Sequence, residues 1–330
     1  MRSNPVLRRL GTTSLLLTLT VGLPGIAGAQ APTYITEWGS FGSASGQFNN
    51  PRGLALDASA NVYVADLSNA RIQKFTSGGA YLTEWGSPGT GNGQFNNPAD
   101  VVVDASGNVF VVEITNHRVQ KFSSSGAYLT QWGSLGSGIG QFNSPIGLGI
   151  DAGGNIYVAD QLNNRVEKYT GSGTFVTQWG SPGSGNGQFN NPVDVAVDAA
   201  GNVYVSDANN HRVQKFTSGG VYLAQWGPLG SGNGQFYSPL GLTVDGSGDL
   251  YVGDSGNDRV QTFTTSGAYY SQWGTFGSGP GQFHTPIGVA VDAGGNVYVA
   301  DLNNHRIQKF GPVPTPAKST TWGRLKNIYR

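Results

Sequence analysis

A ring of six four-stranded antiparallel blades, an all-β six-bladed β-propeller, is predicted by three observations. These are a motif repeated at one fixed step, a composition suited to strands and tight turns, and an offset of one strand between the two ends of the array. Gly-Gln-Phe begins at Gly46, Gly93, Gly140, Gly187, Gly234 and Gly281, a step of 47 residues (93 − 46), with no insertion or deletion. A fixed period governs the meaning of every motif inside it and is therefore read first. Of the 330 residues 52 are glycine, and there are 7 Trp, 14 Tyr and 15 Phe. Glycine supplies turns and aromatics supply a packed core, which fits many short strands. There is no Gly-X-Y period, and so many aromatics do not suit a disordered chain.

The elements follow in order within the unit from Pro51 to Trp85. Leu54 and Leu56 alternate with Ala55, and a turn at 58–61 precedes Val62, Tyr63 and Val64. A polar corner runs from Asp66 to Ala70, then come Arg71 to Phe75, the turn Thr76-Ser77-Gly78-Gly79, and Tyr81 to Trp85. Each run alternates or is β-branched and is bounded by turn residues, and no helical period appears. Four such strands make one blade and six blades make a ring. Tyr34–Trp38 comes before any complete unit, whereas the last unit, Pro286 to Phe310, has three strands and stops. The first strand is thus predicted to complete the last blade and cover its open edge.

The last unit carries Pro286-Ile287-Gly288, Asp292-Ala293-Gly294-Gly295-Asn296, Tyr298-Val299-Ala300-Asp301 and Asn304-His305-Arg306. These motifs and their spacing resemble the NHL-repeat family over residues 34–310. The resemblance implies the propeller but no single function, because the family ranges from RNA and protein binding to sensing and lyase chemistry. Its RING and B-box zinc modules need cysteine, and this chain has none. Its lyases use an asymmetric set of metal-binding and acid-base residues at the channel, and no matching set is visible in the sequence.

Both ends lie outside the repeats. Arg2, Arg8 and Arg9 precede an apolar stretch that ends at Pro24 and the small residues Ala27-Gly28-Ala29. That order predicts a Sec-type signal peptide over residues 1–29, and the apolar stretch is too short and broken for a membrane span. The mature chain is therefore expected to be secreted, periplasmic or on the cell surface, with no transmembrane segment. Without cysteine there is no disulfide framework, thiolate metal site or lipid anchor. Residues 311–330 read as a Pro-rich linker and a basic tail, with Trp322, Leu325 and Tyr329 spaced to share a helical face.

Most distinctive residues read as architecture. The columns headed by Tyr34, Trp38, Phe48, Tyr63 and Phe75 hold 30 of the aromatics (5 × 6), leaving Phe41, Tyr237, Tyr270, Phe276, Trp322 and Tyr329. An aromatic recurring at one step around a ring is expected to pack between blades. Asp57 and its equivalents open turns by accepting backbone N–H groups and lack the dense oxygen ligands of a calcium loop. Asp66 and Arg71, with their equivalents, are expected to form structural ion pairs.

Function is sought where the sixfold pattern breaks. The loops joining fourth to first strands, such as Gly86 to Pro98, contain no Lys, Arg, Asp or Glu. Their glycines run into Phe and Pro rather than into a helix, which argues against a dinucleotide site. With 19 basic and 19 acidic residues the chain offers no basic face to nucleic acid. Uncharged loops suit a protein, peptide or glycan. In the inner strand, Asp100 and Asp194 replace a glycine, and Arg52 is the one charge in its column. The polar corner holds His117, Asn164, His211, Asp258 and His305, and Tyr237 and His284 complete the candidate ligand-binding set. The corner histidines of alternate blades stand about 120° apart around the ring, too far to share zinc at about 2.1 Å. No catalytic residue, metal or cofactor is assigned. The expectation is an exported, non-enzymatic binding scaffold, and the alternative is a lyase or hydrolase at the channel mouth.

Overall fold

The computed structural model describes residues 31–313. The expected signal peptide and most of the expected linker and tail lie outside the described residues. Blade 1 consists of β2 (Pro51–Leu56), β3 (Val62–Asp66), β4 (Arg71–Phe75) and β5 (Tyr81–Trp85). Blades 2 to 5 begin at β6 (Pro98–Val103), β10 (Pro145–Ile150), β14 (Pro192–Val197) and β18 (Pro239–Val244), and each contains four strands in sequence order. The sixth is different. Its order is β1 (Tyr34–Trp38), β24 (Arg306–Phe310), β23 (Val297–Asp301) and β22 (Pro286–Val291).

The predicted closure is therefore present. β1 pairs antiparallel with β24, placing Glu37 opposite Gln308 and Trp38 opposite Ile307. Glu37 forms a 2.8 Å ion pair with Arg306, and the Gly311 N–H donates to the Thr33 carbonyl at 2.7 Å. Val313 is buried beside Phe310 and Trp273, so packing continues past the last strand. The first strands of adjacent blades line a central channel, and β22 meets β2 to complete the circle.

Second strands are covered on both sides, which is why they read as continuous apolar runs: every residue from Val62 to Asp66 is buried. Outer-strand tryptophans sit at blade boundaries: Trp38 packs 6.3 Å from Tyr298 of its own blade and 6.0 Å from Phe75 of blade 1. Gly79 lies under the Trp38 ring at φ +87°, and a Cβ there would stand 2.7 Å from the indole. Only glycine satisfies both demands.

The Asp–Arg column fixes the loops. Asp66 is fully buried and takes Arg71 Nε at 2.8 Å, while Arg71 Nη1 and Nη2 donate to the carbonyls of Ser43, Ala44 and Gln47. Gln73 Nε2 adds bonds to the Gln47 carbonyl at 2.7 Å and to Asp66 at 3.1 Å. A buried charge is tolerated when its hydrogen bonds are filled, and here the partners are the backbone of the preceding loop. The same ties recur at Arg118, Arg165, Arg212, Arg259 and Arg306. Asp57 accepts from the N–H groups of Ser59 and Asn61, both at 2.9 Å, and so closes its turn as expected. The ring has a loop face, with the fourth-to-first loops and the corners, and an opposite turn face.

Candidate binding face and channel neck

At the neck of the channel, neighbouring inner strands approach too closely for side chains. A Cβ on Gly241 would stand 1.7 Å from the Ile287 carbonyl, and one on Gly53 would stand 2.0 Å from Asp100 Oδ1. Glycine in blades 1 and 3 therefore makes room for aspartate in blades 2 and 4. Asp100 accepts the Val101 N–H at 2.8 Å and, from blade 3, the Leu148 N–H at 2.8 Å. Asp194 does the same for Val195 at 2.8 Å and, from blade 5, Leu242 at 2.7 Å. Each carboxylate pins the inner strand of the next blade.

Arg52 crosses the mouth above them. Its Nη1 donates to the carbonyls of Ala99 at 3.4 Å and Ile146 at 3.1 Å, in blades 2 and 3. Burial draws the guanidinium below its ordinary pKa, and the two aspartates oppose that shift. Burial pushes Asp100 up to about 6, against its backbone donors and Arg52. Burial and the facing Asp100 carboxylate raise Asp194 well above the usual carboxylate range. Two buried acids thus face each other at the neck beside a single guanidinium. Toward the turn face the channel widens to a cavity of about 250 Å³. On the loop side it narrows to a space of about 10 Å³ lined by Arg52, Ile146, Val193, Leu240 and Ile287.

The corner column has a common geometry. Ala70, His117, Asn164, His211, Asp258 and His305 all lie in the left-handed region, at φ +52° to +55°. Asn, Asp and His are enriched there. Their side chains also reach the next blade: His117 Nδ1 accepts the Ser144 N–H at 3.0 Å and Asn164 Oδ1 the Asn191 N–H at 3.0 Å. His211, Asp258 and His305 accept from Ser238, Thr285 and Asn50 at 3.1, 2.8 and 3.2 Å. The last of these joins blade 6 to blade 1. Burial holds His305 below its ordinary pKa, which keeps the ring nitrogen free to accept.

The loop face carries an outward crown. Phe41, Pro88, Leu135, Pro182, Leu229 and Phe276 occupy one column, each bridged to the buried phenylalanine of its own loop. Phe41 is 66% exposed, Leu135 62%, Leu229 60% and Phe276 67%. Tyr237 stacks on His211 at 5.6 Å and 28°. His284 lies against Phe276 at 5.1 Å, and His305 against Phe41 at 5.0 Å.

The NHL-repeat family model matches residues 48–75, 95–122, 189–216, 236–263 and 283–310. Those five stretches fall on five of the six blades. The chain is an NHL-repeat propeller. Similar solved structures include a protein of unknown function from Bacteroides thetaiotaomicron, 19% identical, with a TM-score of 0.67 over 86% of this chain and 83% of that one. A streptogramin B lyase is 17% identical, with a TM-score of 0.61 over 83% and 96%. A gluconolactonase from Xanthomonas campestris is 15% identical, with a TM-score of 0.60 over 86% and 98%. No curated protein sequence matches the chain. Likenesses at this identity establish the fold alone.

In this NHL-repeat propeller, residues singled out from the sequence fall into three groups. Arg52, Asp100 and Asp194 converge at the neck. His117, Asn164, His211, Asp258 and His305 span blade boundaries. Tyr237 and His284 sit on the loop face. Two features escaped the sequence reading. The crown mixes Phe, Pro and Leu and shares no residue type, so only its exposure reveals it. In blade 3, which the family model does not match, Glu167 and Tyr169 replace the Gln and Phe of the other blades. The Tyr169 hydroxyl donates to Glu167, whose second oxygen meets Arg165. Burial, opposed by these partners, pushes Glu167 up to about 7.

Proposed function

We propose that the chain is an exported, non-enzymatic binding propeller whose loop face engages an uncharged partner surface of protein, peptide or glycan. One observation carries this reading: six uncharged loops hold exposed apolar residues at equivalent positions above a narrow neck that Arg52 crosses. The Asp–Arg column holds these loops to their blades, so a partner meets a surface that is already ordered. Among the described residues no group of three or more His, Cys, Asp or Glu is placed to hold a metal ion.

The test is capture of a partner from the native envelope or medium, followed by rebinding of the purified pair. Leu135→Glu with Leu229→Glu should weaken rebinding at least tenfold with Tm unchanged, because both side chains are exposed. Rebinding that survives the double variant removes the loop face from the interaction. The Arg52, Asp100 and Asp194 cluster favours a second reading, a channel enzyme, since perturbed buried acids are a mark of catalytic sites. Turnover of quinupristin or a gluconolactone by the wild-type chain, abolished by Asp194→Asn, would put that reading first.

A further inference from the structure

The exposed aromatics of the loop face are confined to one side of it. In the crown column, aromatic rings occur at Phe276 and Phe41 alone, on the consecutive loops between blades 5 and 6 and between blades 6 and 1. Two positions before the inner-strand proline, four loops carry asparagine (Asn49, Asn96, Asn143, Asn190), while Tyr237 and His284 take the place on the loops entering blades 5 and 6. All four departures thus fall on three successive loops. The remaining three loops present Pro88, Leu135 and Pro182.

From this arrangement we infer that the sector running from blade 4 to blade 1 binds a neutral carbohydrate, with Tyr237, Phe276 and Phe41 as successive stacking platforms. The inference rests on the loop-face reading above and narrows its partner to one class. Each ring has an imidazole against it: His211 for Tyr237, His284 for Phe276 and His305 for Phe41. His211 and His305 are themselves fixed by the N–H groups of Ser238 and Asn50. The platforms are therefore held in place before a ligand arrives, which lowers the ordering cost of binding. They remain open, with Tyr237 51%, Phe41 66% and Phe276 67% exposed.

Charge and texture select the ligand. The loops 39–51, 227–239 and 274–286 contain no Lys, Arg, Asp or Glu, and the one carboxylate of the sector's corner column, Asp258, accepts the Thr285 N–H at 2.8 Å, so the loops themselves offer a charged ligand no counter-ion. A pyranose offers an apolar face of C–H groups whose slightly positive hydrogens suit the negative face of an aromatic ring. Its hydroxyl edge suits the serine, threonine and amide groups that surround these rings. Gly-Ser-rich backbone separates one platform from the next, whereas the core of a protein interface is a continuous apolar patch.

The test uses the full chain and a defined panel: cellulose, chitin, xylan, mannan and amylose, read by pull-down or affinity electrophoresis. Wild type should be retained by at least one of them. Phe41→Leu with Phe276→Leu keeps apolar bulk but removes the rings, and should reduce retention at least tenfold with Tm unchanged. Phe41→Tyr with Phe276→Tyr should retain it, as should Pro88→Ala with Pro182→Ala on the opposite side. Absence of retention across the panel, or retention that the leucine pair leaves intact, overturns the inference. A protein or peptide that binds the loop face, is lost with Leu135→Glu and Leu229→Glu, and tolerates the leucine pair leaves the binding-propeller reading standing without the carbohydrate. Failure of every loop-face variant to affect any captured partner removes both.

Discussion

Position 70 of blade 1 is the one member of the corner column whose side chain cannot accept a hydrogen bond. It adopts φ +52° as the others do, yet as alanine it has neither the left-handed preference of asparagine nor an acceptor for the next blade. Ala70→Asn should reproduce the Asn164 arrangement and add about 1 kcal/mol of stability, seen as a higher Tm. A lower Tm would show that the column is not interchangeable between blades. Glu167 presents the opposite case, a titrating group where the other blades have an amide. Its folded pKa of about 7 lies above the ordinary 4.5, so the native state binds the extra proton. Its contribution to stability is whole below pH 4.5 and disappears as the pH rises through about 7. Glu167→Gln with Tyr169→Phe restores the pattern of the other blades and should stabilise the protein by about 1–2 kcal/mol at pH 8 and less at pH 5. A gain that is equal at both pH values would mean that Glu167 does not titrate as described.

Among the elements, β1 carries the closure. Removing residues 31–38 exposes the edge of β24, breaks the Glu37–Arg306 pair and takes Trp38 from between blades 6 and 1. Trp38 is half-buried, so its loss falls toward or below the lower end of the about 3–5 kcal/mol that a fully buried aromatic costs. The truncated chain should therefore unfold at markedly lower temperature and self-associate through the open edge, as light scattering would report. A monomer of unchanged Tm would mean that the pairing is dispensable. This element was legible because strands can be counted: a lone Tyr-x-x-x-Trp at the start and three strands at the end. The Asp–Arg column was legible for a similar reason, since its spacing spans a single corner. The neck was only half legible. Asp100 and Asp194 stood out as exceptions, but 47- and 94-residue separations do not show how narrow the axis is or that Arg52 crosses it. The corner side chains were hidden for a related reason, because their partners are backbone N–H groups of another blade and a backbone group has no signature in sequence.

Across the whole molecule the two faces divide the work. The turn face is laced by ionic ties such as Lys74 to Asp57 at 3.2 Å, and by Lys121 and Lys215 bonding the next blade's turn carbonyls. The loop face has its charges folded inward and its apolar and amide groups outward. Sequence reading anticipated the uncharged loops but not which of their residues point out, because burial in a ring depends on radius as well as on alternation along a strand.

The meeting of Thr33 and Gly311 carries one more implication. Tyr34 stands opposite Phe310 at the end of blade 6 where the 292–296 turn lies, so both ends of the described chain emerge on the turn face. A tether attached at either point would hold the disc from behind, leaving the crown directed away from its mooring.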